Sequence, residues 1–180
     1  MKTADNSVGH TVSSAETSKR RIVIDIGARE TKIFVCGGEL KRESNGVLMM
    51  GDPLFARPVG VGITRVFVSP YRWHEILNPF ANLDSVKKHF DAAVYFIVEM
   101  VRQYCPQEGL SRLLKSRIEV AVALPEWMMG ETELVVRFYA EVTKKLKSYR
   151  VTFVNSRAAL CAYARQKRNR ANKQGEGETK

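Results

Sequence analysis

Two apolar segments near the start of the chain are separated by a short polar turn. Residues 22–26 read Ile-Val-Ile-Asp-Ile, which is typical of a central strand covered on both faces, and residues 31–36 read Thr-Lys-Ile-Phe-Val-Cys. Gly27 allows a positive φ and the close approach of another group to the backbone. We therefore predict a β-hairpin over 21–36, and a third short strand at 46–50 that completes an antiparallel meander.

Helical and strand patterns alternate along the second half of the chain. Apolar residues recur at three- and four-residue steps in each predicted helix, and Asn82 is the predicted N-cap of the first. With right-handed crossovers, the order βββαβαβα predicts a ribonuclease H-like α/β domain with a mixed sheet. These later elements are helices at 82–104, 134–146 and 158–165 and strands at 118–124 and 151–154.

Composition divides the chain into three parts. Residues 1–19 are polar and aperiodic, which predicts a disordered arm, and 166–180 form a basic tail that we also expect to be disordered. A single domain is predicted for 20–165. Within it, 51–81 is a proline-containing connection, long enough to suggest a partner surface.

Within the connection 51–81, the apolar pattern is irregular and predicts only short elements. The sequence predicts a short strand at 65–68 and a helical turn near 73–77, and the aromatic Phe80 looks exposed. Further on, the run 125–131 places large apolar side chains between two acids. We favour packing of this run over the cleft, and the alternative is an exposed anchor for a partner protein.

Composition and charge limit the possible functions. Apolar residues make up 44% of the chain, enough for a sizeable core, and no uninterrupted apolar stretch is long enough to span a membrane. The start of the chain is unlike a secretory signal, so a cytoplasmic location is expected. The three cysteines are far apart, which argues against a disulfide framework or a zinc site.

The net charge is strongly positive. There are 29 Lys and Arg residues against 19 Asp and Glu, a balance of +10 that favours anionic partners. Many of the cations lie in the C-terminal tail, and Lys144, Lys145 and Lys147 end a predicted helix, where cations complement the helix dipole. Nucleic-acid binding through the basic tail on a ribonuclease H-like scaffold is therefore an alternative function.

Asp25 is the chemical group of interest in the hairpin. A carboxylate is costly to bury, so we expect Asp25 to face a cleft, where it meets water, a metal-bound water or a hydrogen-bond donor. The N–H groups of the turn and the hydroxyl of Thr31 are then expected to face a phosphate. An ordinary hairpin in which Asp25 caps the turn explains the same residues, so both interpretations stay open.

A metal-dependent nuclease is the less favoured alternative. Two-metal phosphodiester chemistry needs several converging carboxylates. Asp25 supplies one, but Glu99 is expected on the solvent side of its helix, and Glu126 lies beyond the proline that ends its strand. The predicted last helix contains no acid.

Four segments resemble, in order, the actin-like ATPase superfamily and within it the MreB-like bacterial actins. The resemblance implies ATP and magnesium as ligands, a role in cell shape or cytoskeletal assembly, and association with itself or with a full-length relative. The segments resemble the first phosphate motif (24–31), the link to the first helix (58–63), the strand ending in Val-Pro (118–125) and the last strand-to-helix step (153–162).

The same resemblance assigns the site residues. Phosphate binding falls on Asp25, Gly27, Ala28 and Thr31, magnesium binding through water falls on Asp25, and the water-positioning acid falls at or next to Glu133.

Departures from the family pattern weaken the case for catalysis. Ala28 replaces a residue with a hydroxyl, and Asn155-Ser156-Arg157 replaces an acid-acid-Pro step. The resemblance covers only the first lobe of such a protein, without the second half of the nucleotide clamp. We therefore expect weak or absent ATPase activity from this chain alone.

Overall fold

A computed structural model describes residues 21–35, 40–52, 54–65, 74–105 and 118–157. Among these residues, six strands come first in the chain, and helices and strands then alternate in its second half. The strands are β1 Arg21–Ile26, β2 Glu30–Val35, β3 Leu40–Ser44, β4 Val47–Met50, β5 Arg57–Val61, β6 His74–Leu77, β7 Glu119–Leu124 and β8 Arg150–Asn155. The helices are α1 Leu83–Lys88, α2 Phe90–Tyr104, α3 Glu126–Met129 and α4 Thr132–Lys145.

The main sheet has five strands in the order β3-β2-β1-β7-β8. The first three strands form an antiparallel meander, and β7 and β8 are added parallel to β1 through helical crossovers. This order and these directions confirm the predicted ribonuclease H-like fold. The predicted helix at 158–165, the arm at 1–19 and the basic tail at 166–180 lie outside the described residues.

One face of the main sheet carries the core. Ile22 and Ile24 of β1 are fully buried and align with Val120 and Val122 of β7, which are buried as well. Helices α2 and α4 pack against each other, and their buried faces belong to the same core. On the opposite face of β1, Asp25 is only half-buried, so the expectation that both faces are fully covered is not met in the described residues.

The third strand of the meander differs from the prediction. It is β3, whereas the predicted segment 46–50 supplies β4 of a second sheet with the order β5-β4-β6. Strand β3 has the sequence Leu-Lys-Arg-Glu-Ser and lies at the edge of the main sheet, where polar side chains are tolerated. It therefore lacks the apolar pattern on which the prediction relied.

The described part of the connection between the meander and the helices contains two strands that the sequence did not predict. The segment predicted as a helical turn is strand β6, and β5 includes Pro58 at an edge of the small sheet. Arg65 is not in a strand, and the rest of the predicted strand lies outside the described residues.

Phe80 is fully buried, contrary to expectation. Its ring makes edge contacts with Phe96 and Phe138 at centroid distances of 5.6 and 6.3 Å. The side chain of Asn78 accepts a hydrogen bond from the Phe80 N–H at 2.9 Å, which fixes the turn that brings the ring inward. Tertiary packing thus anchors the end of the connection.

The predicted helix over 82–104 is two helices. Asn82 caps the first as predicted, since its side chain accepts a hydrogen bond from the Ser85 N–H at 2.8 Å. The backbone leaves the helical region at His89 (φ −116°, ψ 41°), and both the next residue, Phe90, and Val86 in the preceding helical turn are buried. The break therefore lies within a packed segment.

The run 125–131 packs against the core, as favoured from the sequence. It forms α3, in which Met128 is fully buried and Trp127 and Met129 are partly buried against the core. Within the described residues, no helix combines the length and apolarity that crossing a membrane requires.

Candidate functional site

The carboxyl ends of β1, β7 and β8 lie at one edge of the main sheet, because the three strands are parallel. Ligands of open α/β sheets bind in the crevice outside such strand ends. Here the edge carries the turn after β1, the start of α3 and the residues that follow β8. The candidate site is therefore the set of polar groups in these three segments.

Asp25 and Ser156 meet at this edge. The hydroxyl of Ser156 donates to Oδ1 of Asp25 at 2.9 Å, and both residues are half-buried. This contact places the carboxylate beside a hydrogen-bond donor, one of the surroundings expected for it. In the sequence, Ser156 stands out only as a departure from the family motif, although the predicted parallel strands β1 and β8 would bring the two residues to one edge.

Gly27 makes the turn possible through its missing side chain. Its N–H donates to the carbonyl of Glu30 at 3.0 Å, and a Cβ at this position would lie 2.7 Å from the same oxygen. The expected close approach is therefore present. The expected positive φ is not, since among the described glycines only Gly51 and Gly62 have one.

Thr31 lies beneath the turn and does not face outward. It is fully buried, and its hydroxyl donates to Oδ1 of Asn45 at 2.7 Å. The expectation that this hydroxyl faces a phosphate needs correction, because the hydroxyl is already bonded to a buried protein group. The role of Thr31 is to hold the turn in place.

Donors from elsewhere in the protein hold three successive carbonyls of the turn. The side-chain amide of Asn45 donates to the carbonyl of Gly27, and that of Asn78 donates to the carbonyl of Ala28, each at 2.7 Å. The backbone N–H of Asn45 donates to the carbonyl of Arg29 at 3.4 Å. The contribution of the two asparagines was not foreseen from the sequence, because they are 18 and 50 residues from the turn residues that they bind.

This arrangement also orients the N–H groups of the turn. In a trans peptide, the N–H of one residue points opposite to the carbonyl of the residue before it, and the described residues contain no cis peptide. The N–H groups of Ala28 and Arg29 therefore point away from the asparagine donors, and both residues are exposed. Successive N–H groups in a turn conformation can bind an anion.

The acids near the site do not form a metal cluster. In the part of the chain that the structure describes, no three His, Cys, Asp or Glu side chains lie close enough together to hold a metal ion. Glu126 is 3.6 Å from the guanidinium of Arg157, and Glu99 pairs with Arg102 on α2 at 2.5 Å. Asp25 is thus a single carboxylate, suited to a contact through a metal-bound water.

Glu133 is exposed in the first turn of α4. Its near neighbour Glu131 pairs with Lys87 of α1 at 3.1 Å. The described hydrogen bond of Asp25 is with Ser156 and does not involve Glu133. The structure therefore brings together Asp25, Gly27 and Ala28 at one turn, buries Thr31 below it, and places Glu133 on a solvated helical turn.

Comparisons with known proteins gave matches among solved structures. No family model and no curated protein matches the chain. Two structures of MreB5 of Spiroplasma citri match, one bound to ADP (18% identity, TM-score 0.48) and one bound to AMPPNP (16% identity, TM-score 0.47). Each match covers 77% of this chain, which spans 38% and 39% of the respective structures. The fold itself is established by the strand order described above.

Proposed function

We propose that this protein is an MreB-type actin-like protein that binds the phosphate of a nucleotide at the turn after β1. The observation that supports phosphate binding is the set of three turn carbonyls held by Asn45 and Asn78, which leaves the N–H groups of Ala28 and Arg29 facing outward. ATP is the nucleotide that the sequence resemblance implies. Cell shape or cytoskeletal assembly is the process in which such a protein would act.

The residues at the edge of the sheet fit this ligand in distinct ways. The N–H groups of Ala28 and Arg29 would bind phosphate oxygens, and Gly27 keeps the turn narrow. Asp25, held by Ser156, would accept a hydrogen bond from a water bound to magnesium. When bound, the magnesium ion neutralises part of the phosphate charge.

Weak or absent hydrolysis is part of the proposal. A general base must come within hydrogen-bond distance of its water, and Glu133 lies on an exposed helical turn. Ala28 offers no hydroxyl to the phosphate. We therefore propose that the protein acts mainly through contacts with itself or with a full-length relative.

An exposed apolar tip supports the proposed protein contacts. Leu54 and Phe55 lie between β4 and β5 and are 86% and 83% exposed. Adjacent apolar side chains of this size are commonly covered in an assembly. Co-sedimentation with a full-length bacterial actin tests this part: we expect the chain to pellet with the filaments, and the double variant L54S/F55S to pellet less. A chain that stays in the supernatant at low salt would contradict the proposed assembly.

Calorimetric titration with ATP and magnesium tests the nucleotide site. We expect weak, magnesium-dependent binding, because the proposed contacts involve phosphate and not the base or ribose. R29A should bind nearly as well as the unmodified chain, since the proposed contact uses the N–H of Arg29 and not its guanidinium. The absence of binding to both ATP and ADP, with the protein folded, would overturn the proposed nucleotide site.

A further inference from the structure

A polar cavity lies where α2 and α4 end. Its volume is about 380 Å³, and the segment that leads from α4 into β8 forms part of its wall. Its polar lining comes from four cations, one hydroxyl side chain and one tyrosine: Arg102, Lys144, Lys145, Lys147, Ser148 and Tyr149. Although sequence analysis attributed the lysines to a helix end, the cavity gives them a common concave surface.

The charge of this cavity is only partly compensated. Arg102 pairs with Glu99 at 2.5 Å and Lys144 pairs with Glu141 at 3.8 Å, each on its own helix. Lys145 and Lys147 are exposed and form no ion pair with a residue that the structure describes. Among the described residues of the lining, none is acidic. The C-terminal end of α4 contributes only about half a negative charge, which two ammonium groups exceed.

The wall of the cavity is fixed by hydrogen bonds. Tyr149 is buried and its hydroxyl donates to the carbonyl of Cys105 at 3.2 Å, while its N–H donates to the carbonyl of Leu146 at 2.9 Å. Tyr149 is thus tied to Cys105 at the end of α2 and to Leu146 at the end of α4. The cavity therefore has a fixed wall, with exposed lysine side chains around it.

The cavity and the hairpin turn lie at opposite ends of the main sheet. Tyr149 precedes β8, and the N–H of Arg150 donates to the carbonyl of Ile118 just before β7, whereas Asp25 and Gly27 lie at the end of β1. A six-residue strand is about 20 Å long, so the two sites are separate. A ligand bound in the cavity would leave the turn free.

We propose that this cavity binds a small, multiply charged phosphate group. Lysine ammonium groups bind phosphate as point charges, and the hydroxyl of Ser148 supplies a neutral donor. An anion with two or more negative charges can engage both unpaired lysines, whereas a monocarboxylate can neutralise only one. The volume leaves room for a small ligand of this class.

A site-resolved titration with inorganic pyrophosphate tests the proposal. In a two-dimensional ¹H–¹⁵N NMR spectrum, we expect saturable shifts of the amide signals of Lys145, Lys147, Ser148 and Tyr149. Signals of Ala28 and Arg29 report separately on the turn, so failure of one site is distinguishable from failure of the other. Acetate at equal ionic strength should bind at least about fivefold more weakly, because a monocarboxylate can neutralise only one of the two lysines. No saturable shift at the cavity overturns the proposal.

Matched variants separate a defined site from overall charge. K145Q/K147Q should weaken pyrophosphate binding at the cavity by about tenfold. R57Q/K88Q removes the same two charges from exposed positions on β5 and α1, and should change the affinity less than about twofold. Equal weakening in both variants would overturn the proposal, because a general electrostatic effect would then explain the binding.

The phosphate group can belong to a soluble ester or to a lipid headgroup. Flotation with vesicles that contain phosphatidic acid distinguishes these sources once pyrophosphate binding is established. Flotation that is lost in K145Q/K147Q but kept in R57Q/K88Q supports a headgroup ligand at the cavity. Absence of flotation supports a soluble phosphate ester at the same cavity.

Discussion

Thr31 and Asn45 are both fully buried, and the hydroxyl of Thr31 donates to Oδ1 of Asn45 at 2.7 Å. The same Asn45 side chain donates to the carbonyl of Gly27 at 2.7 Å. One asparagine between β3 and β4 therefore determines the shape of the turn between β1 and β2. The geometry of the proposed phosphate site depends on a residue that would not itself touch the ligand.

Replacing Asn45 should destabilise the protein and weaken nucleotide binding. In N45A, the hydroxyl of Thr31 and the carbonyl of Gly27 lose their partners. A buried polar group left without its hydrogen bond costs roughly 1–3 kcal/mol, so we expect a loss of about 2–4 kcal/mol in the free energy of unfolding. Urea denaturation measures this loss.

N78A is the matched control for this prediction. The hydrogen bond from the side-chain amide of Asn78 to the carbonyl of Ala28 is exposed to solvent, so water can replace it in the variant. The hydrogen bond that the Asn78 side chain accepts from the Phe80 N–H is lost as well. We expect a loss of about 1 kcal/mol. Equal losses in the two variants would show that burial of the Thr31–Asn45 pair does not set the cost.

The two glycines Gly46 and Gly130 should respond in opposite ways to alanine. A Cβ on Gly46 would lie 1.8 Å from the carbonyl oxygen of Ile63, at the point where the chain passes from the main sheet to the small one. G46A must therefore move the backbone, and we expect a loss of more than about 3 kcal/mol or a failure to fold.

Gly130 provides the control, because a Cβ there meets nothing within 4 Å and its backbone is already helical (φ −68°, ψ −18°). G130A should stabilise the chain by about 0.4–1 kcal/mol, since alanine reduces the entropy of the unfolded chain. Thermal unfolding followed by circular dichroism measures both variants. A melting temperature of G46A near that of the unmodified chain would contradict the close contact.

Tyr104 should make the stability of the protein depend on pH in the alkaline range. Burial, and then the hydrogen bond to Glu43 and its negative charge, raise the pKa of Tyr104 from 10.0 to about 12. The folded state thus holds this proton more tightly than the unfolded state, so the stabilisation is complete below pH 10 and is lost as the pH rises from 10 to about 12.

Y104F should remove this part of the pH dependence. Unfolding by urea at several pH values between about 9 and 12 measures the effect, and subtracting the Y104F profile removes the contribution of other tyrosines and lysines. Parallel profiles in the two proteins would mean that Tyr104 does not contribute. Phenolate absorbance of both proteins gives the titration of Tyr104 directly.

Asp25 should be needed for the magnesium dependence of nucleotide binding. In D25N, the side chain keeps its size but loses the charge that would attract a metal-bound water, so we expect affinity for ATP with magnesium to fall about tenfold, toward the value without magnesium. S156A should have a smaller effect, because it removes only the hydrogen bond that positions the carboxylate.

Calorimetry measures these affinities, with D91N as the control for overall charge, since Asp91 is exposed on α2. Equal weakening in D25N and D91N would contradict a specific role for Asp25. Retention of the full magnesium dependence in D25N would contradict it as well.

The strands and helices with strong apolar patterns were predictable from the sequence. Strand β1 and strand β7 are short apolar runs, and α2 and α4 repeat their apolar residues at helical spacing, so burial dictates their type. Their order was sufficient to predict a ribonuclease H-like sheet. Asp25 and Gly27 were identified at the turn because a carboxylate and a glycine are unusual next to a buried strand.

Elements without an apolar signal were not predictable in this way. Strand β3 is polar and lies at an edge, and the segment 74–77 reads equally well as a short helical turn or as the strand that it forms. Phe80 looked exposed because its loop is rich in turn residues, yet its ring partners are on helices 16 and 58 residues away. Contacts of this range are absent from any local pattern.

The sequence by itself determined the fold class and the position of the turn, because both follow from local alternation of apolar and polar residues. Only the tertiary structure decided which groups at the turn face outward. Asn45 and Asn78 are distant in sequence from the turn, and their side chains donate to its carbonyls. Because the peptide group is planar and trans, the N–H groups of the turn point to the side opposite these carbonyls. The hydroxyl of Thr31 points inward because its hydrogen-bond acceptor, the buried side chain of Asn45, comes from another segment of the chain.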